Sequence, residues 1–108
     1  MPIYNKLVHD KIPAVLEGKQ LTYNTKILED HTYKQELINK LAEECQEYQA
    51  ANNNEEAAEE LADILEVVIA LGKTHGYTEA QLLSVRKQKR NNRGGFENKV
   101  YLIDVKDN

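Results

Sequence analysis

The chain has no tryptophan, one phenylalanine and a single cysteine. Its core must therefore be mostly aliphatic. The lone Cys45 excludes an internal disulfide framework, and a cytoplasmic setting is the expectation. Long apolar runs are also missing. The longest, near Ile64 to Leu71, is interrupted by Glu66 and is far too short to span a bilayer. The stretch Met1 to Lys6 lacks the apolar segment of a signal peptide, so no export signal is expected. Positive charge is in short supply: the net charge of -4 gives no general attraction to nucleic acid or to anionic membranes, and neither is expected as a partner. At 108 residues, one domain covering 1–108 is expected, with room for a modest core.

What the chain does have is helical patterning. Asp10 is placed to cap a brief helix through Ile12 to Leu16, with Pro13 in its first turn and Gly18 at its end. Residues Leu21 to Leu28 alternate loosely and carry Thr, Tyr and Ile, which predicts a strand. Asp30 or Thr32 then caps a long helix to about Ala51. Asn52-Asn53-Asn54 signals a turn, and a second long helix runs from about Glu55 to Thr74, ended by Gly76. Thr78 with Gln81 fits a capping box that opens a third helix to about Asn91. Lys99 to Val105 alternates and predicts a second strand, which should pair with the first because a lone strand is unstable. The expected fold is mainly α, an antiparallel helical bundle with a small peripheral strand pair.

Two acidic clusters sit on the two long helices: Glu43-Glu44-Cys45-Gln46-Glu47 and Glu59-Glu60-Leu61-Ala62-Asp63. Glu44 with Glu47, and Glu60 with Asp63, are three residues apart, which puts each pair on one helix face. Like charges that close repel unless a cation sits between them. Packed antiparallel, the helices would bring four carboxylates together. Hard oxygen ligands suit Mg2+, with Mn2+ as an alternative, and such ions suit phosphate chemistry. A single acidic pair of this spacing is most often a solvated face. These two differ because of where they point. At about 100° per residue, Glu44 falls within about 20° of Leu37 on the apolar stripe of Leu37, Leu41, Cys45 and Tyr48. Glu60 projects between Leu71 and Val67, and Asp63 lies further toward the polar side. A carboxylate aimed at a core is costly unless paired or metal-bound. Cys45 is expected in the core, whereas Glu55, Glu56 and Glu66 show no inward bias.

The second long helix is apolar over more than half its circumference, through Leu61, Ile64, Leu65, Val67, Val68, Ile69 and Leu71. One short chain has too few other helices to cover it, so a homodimer or homotetramer is expected, with this helix in a four-helix bundle across a two-fold axis. Arg86 to Arg93 is the only dense basic segment. It reads either as a solvated helix end complementing the macrodipole or as a phosphate clamp, with Lys89 and Arg93 one turn apart. The glycines after it would let backbone approach a ligand. His9, His31 and His75 are scattered and suggest no zinc site.

Glu43-Glu44-x-x-Glu47, twelve residues, then Glu60-x-x-Asp63 resembles the signature of the MazG-like, all-α nucleoside triphosphate pyrophosphohydrolases. The ends, Tyr4 to Pro13 and Arg93-Gly94-Gly95-Phe96, resemble those of a small single-domain branch described as phosphoribosyl-ATP pyrophosphohydrolase-like. The resemblance spans nearly the whole chain. It implies Mg2+-dependent hydrolysis of a nucleoside triphosphate, or a related nucleotide, to the monophosphate and pyrophosphate. It implies Glu44, Glu47, Glu60 and Asp63 as metal ligands, Glu43 as the residue that orients or deprotonates water, and Lys6 and His9 beside the phosphates. The chain departs from that branch at His9, where Arg is usual, and at Asn92, where Glu is usual. A non-catalytic nucleotide sensor on the same fold is the alternative. A nucleic-acid-binding module is disfavoured by the acidic total and by the lack of aromatics among the basic residues.

Overall fold

The computed structural model describes residues 2–107, and its helices follow in the order α1 (Ile12–Gly18), α2 (Asp30–Gln49), α3 (Asn54–Thr74) and α4 (Glu79–Arg93). The chain is mainly α. Helices α2 and α3 pack along each other as a hairpin, and α4 packs on α3 alone. Leu37, Val67 and Ile69 are the buried apolar side chains among the described residues. No helix of the described residues is long and apolar enough to cross a membrane.

Local chemistry sets the helix ends that matter for the site. The turn between α2 and α3 is closed by reciprocal bonds. Asn53 Oδ1 accepts from the Glu56 amide at 2.8 Å, and Glu56 Oε2 accepts from the Asn52 amide at 2.9 Å. These bonds start α3 about two turns before Glu60 and Asp63. The capping box of α4 forms as expected: Thr78 Oγ1 accepts from the Gln81 amide at 3.1 Å, and Gln81 Oε1 from the Thr78 amide at 2.9 Å. Between these helices Gly72 touches Leu82, where an added Cβ would lie 3.0 Å from Leu82 Cδ2. Gly94, at φ +83°, stops α4 in a conformation that side chains other than hydrogen disfavour.

Three expectations are corrected. Asp10 does not cap α1; Lys11 holds that position, with no side-chain bond. The cap of α2 falls on Glu29, again without a side-chain bond, and Asp30 lies inside the first turn, where its charge complements the macrodipole. The strand pair is not formed among the described residues: Leu21–Leu28 and Lys99–Val105 carry no strand and share no ladder hydrogen bonds, and Lys99 sits at φ +60°. The first is held at its start by α1 instead. The Leu21 amide donates to the Leu16 carbonyl at 3.0 Å, and the Tyr23 hydroxyl donates to Glu17. Without a ladder partner, alternation alone does not make a strand.

Candidate metal centre

Helix α2 carries Glu43, Glu44 and Glu47, and α3 carries Glu60 and Asp63. The antiparallel hairpin brings them together near its closed end. One oxygen from each of Glu44, Glu60 and Asp63 lies within 4.8 Å of the others, and so does one from each of Glu43, Glu44 and Glu47. Glu44 belongs to both sets and links them. All four carboxylates expected as ligands, and Glu43, are therefore in one continuous cluster.

Glu44 is the buried member, with 3% of its surface exposed. Its Oε1 lies 3.2 Å from Lys40 Nζ, itself nearly buried. Its Oε2 is buried without a hydrogen-bond partner, and so is Oε2 of Glu60. A buried, unpaired carboxylate oxygen is costly. Two of them in one cluster make a ready place for a cation. Oxygens on one Mg2+ at about 2.1 Å lie no more than about 4.2 Å apart, so the cluster needs only a small contraction to fit. The donor set, oxygen only, fits a hard divalent ion.

The electrostatics fit as well. Partial burial, then the Glu44 and Glu47 carboxylates beside it, push the Glu60 carboxyl up to about 7. Glu43 moves the other way. Its Oε1 accepts from Lys6 Nζ at 2.8 Å and its Oε2 lies 3.5 Å from Lys40 Nζ. Those ammonium groups, Lys6 first, hold the Glu43 carboxyl below its usual range. Lys6 is raised in turn by the same bond. A recess of about 160 Å³ beside Glu43 is lined by Asn5, Lys6, Asn39 and Lys40, among others.

The hairpin has two unlike flanks. At about 100° per residue, Glu43 and Glu47 on α2 and Asp63 on α3 fall on one side, and Ile38 and Cys45 on α2 with Leu61 and Leu65 on α3 fall on the other. The amino-terminal segment lies along the acidic flank, tied by Lys6 to Glu43 and by His9 Nε2 to Asp63 Oδ1 at 3.6 Å. Two of the four expected phosphate-binding residues thus reach the cluster. Lys89 and Arg93 do not pair with it, and neither makes an ion pair among the described residues. It is Arg90 that pairs, with Glu97 at 2.9 Å, and Gly95 makes room for that contact.

Cys45 is corrected from core to exposed. It sits about 80° from Leu37 on the wheel, beyond the reach of α3. Glu55, Glu56 and Glu66 are exposed, and Glu56 serves the α3 cap. Lys40 is the participant that sequence reasoning missed. Its positions three and four residues before Glu43 and Glu44 were the available signal. In comparisons with family models, curated proteins and solved structures, the chain finds no significant match.

Proposed function

We propose that the protein is a Mg2+-dependent nucleotide pyrophosphohydrolase of the MazG-like kind, cleaving a nucleoside triphosphate or related nucleotide to monophosphate and pyrophosphate. Cleaning of a cytoplasmic nucleotide pool is the role that suits it. The observation that carries this reading is the pair of orphaned, buried oxygens on Glu44 and Glu60, in a cluster completed by Glu47 and Asp63. These four residues would hold the ion. Mg2+ in that position, or Mn2+ in its stead, would supply charge for the phosphates and acidify a water. Glu43, kept ionised by Lys6 and Lys40, accepts a hydrogen bond from the attacking water and orients it. Lys6 and His9 stand on the same flank, where each can exchange its carboxylate partner for a phosphate oxygen. The apolar side of α3 supports assembly with a second copy, as a homodimer or homotetramer.

A nucleotide panel with Mg2+ or Mn2+ and a pyrophosphate readout tests the reading. Turnover of at least one nucleotide, lost on chelation, is expected. One observation favours a second reading. Both Glu43 oxygens face lysines, so a protein that never frees them would bind nucleotide with Mg2+ and act as a sensor. Binding without turnover across the panel selects that alternative.

A further inference from the structure

The chain exposes 10,016 Å² of surface, whereas a folded monomer of 12.4 kDa exposes about 6,100 Å². Its radius of gyration is 18.3 Å, against about 13 Å for a compact chain of this length. The excess is about 3,900 Å² per chain, or about 7,800 Å² for a pair, more than the roughly 2,000–5,000 Å² that an obligate homodimer removes from water in total, so a second copy could cover much of it. Two apolar surfaces contribute to it. One is the hairpin flank away from the carboxylates, with Ile38 and Cys45 on α2 and Leu61 and Leu65, about half exposed, on α3. The other is the carboxy-terminal arm. Phe96, Val100, Tyr101, Leu102, Ile103 and Val105 are each at least 73% exposed. From 100 to 105 the arm makes no backbone hydrogen bond among the described residues.

We propose that the arm is exchanged between two copies of the chain, each arm lying across the apolar hairpin flank of its partner. The inference rests on the assembly reading above and names the segment that completes it. Gly94, at φ +83°, turns the chain away from α4, and the Arg90–Glu97 pair holds the turn. Helix α4 touches α3 near Gly72 and does not reach α2, so this chain's own last helix leaves the α2 side of the flank open. Residues 100–105 reach about 20 Å when extended. That is enough to cross two helices whose axes are about 10 Å apart. Apolar side chains alternate to both sides of the arm, so one side meets the flank and the other is free for the partner's arm or α4. A single contact, made twice, covers both surfaces. The acidic flank stays open, since it lies on the opposite side of the hairpin.

Cys45, on that flank and the only cysteine, gives the test. The native chain is mixed, by unfolding and refolding, with a Cys45→Ala/Leu102→Cys chain, and then oxidised. A disulfide-linked pair of one native and one variant chain is expected on a non-reducing gel. In a single chain carrying Cys45 and Leu102→Cys, the link is expected between chains. A link within one chain would mean that the arm folds back on its own hairpin and would overturn the proposal. So would a dominant Cys45–Cys45 link in the native protein, which would show hairpin flanks facing each other. As a second measurement, the full chain carrying Leu102→Asp and Ile103→Asp should dimerise at least a hundredfold more weakly by sedimentation, and unchanged affinity would overturn the exchange. If the full chain is a dimer and the mixed link fails to form, the exchange alone is wrong. If it is a monomer at micromolar concentration, the assembly reading fails with it.

Discussion

Glu60 gives the sharpest consequence of the cluster. Its carboxyl is pushed up to about 7, by burial first and then by its carboxylate neighbours. A divalent ion binds only the ionised form. With a midpoint near 7, about nine-tenths of Glu60 is ionised at pH 8 and about one-tenth at pH 6. Apparent affinity for Mn2+, titrated calorimetrically without nucleotide, should therefore fall about tenfold from pH 8 to pH 6. Glu60→Gln should bind weakly and lose most of that slope, whereas the exposed Glu66→Gln should keep both. Stability of the metal-free protein runs in the opposite sense. The folded state holds the Glu60 proton more tightly than the unfolded chain does, whose carboxyl lies near 4.5. Protons therefore favour the fold across this interval, and the contribution is lost as pH rises from about 4.5 to about 7. Glu60→Gln should flatten that part of the melting profile and raise the melting temperature at pH 8 without metal. A parent protein with pH-independent Mn2+ affinity, or a Gln variant with the parent's slope, would refute the reasoning. So would full pyrophosphate release by Glu60→Gln.

Other outcomes follow from packing and caps. Leu37→Ala removes one of the few buried apolar side chains and should cost about 2–5 kcal/mol in urea unfolding, monitored by circular dichroism. Thr78→Ala breaks the capping box and should cost about 1 kcal/mol, with hydrogen exchange rising in the first turn of α4 and unchanged in α2.

The helices were legible because their signals are local. The spacing of Leu37 and Glu44 places both on one face, and both are buried. Thr78 and Gln81 meet within four residues, and they cap as expected. The cluster was legible for the same reason, since three-residue spacing on each helix and a short turn leave the carboxylates few other arrangements. Cys45 was harder to place. An apolar stripe shows a face that seeks cover, but not whether the cover comes from the same chain. The two predicted strands were misread through the same gap. Leu21 to Leu28 has the composition of a strand, but pairing is a long-range property, and Tyr23 and Leu21 bind α1 instead. The basic segment was read two ways, as a solvated helix end or a phosphate clamp, and its place along α4 does not say which surface Lys89 and Arg93 face.

The lysines around the carboxylates also limit how many ions the site can hold. Glu43, Glu44, Glu47, Glu60 and Asp63 contribute five negative charges when ionised, and Lys6 and Lys40 offset two of them. The remaining formal charge is −3, so one divalent ion leaves −1. A second would find little fixed charge left on the protein. On the pyrophosphohydrolase reading, a second cation would then be a companion of the nucleotide's phosphates, arriving and departing with them, while the first would stay with the protein.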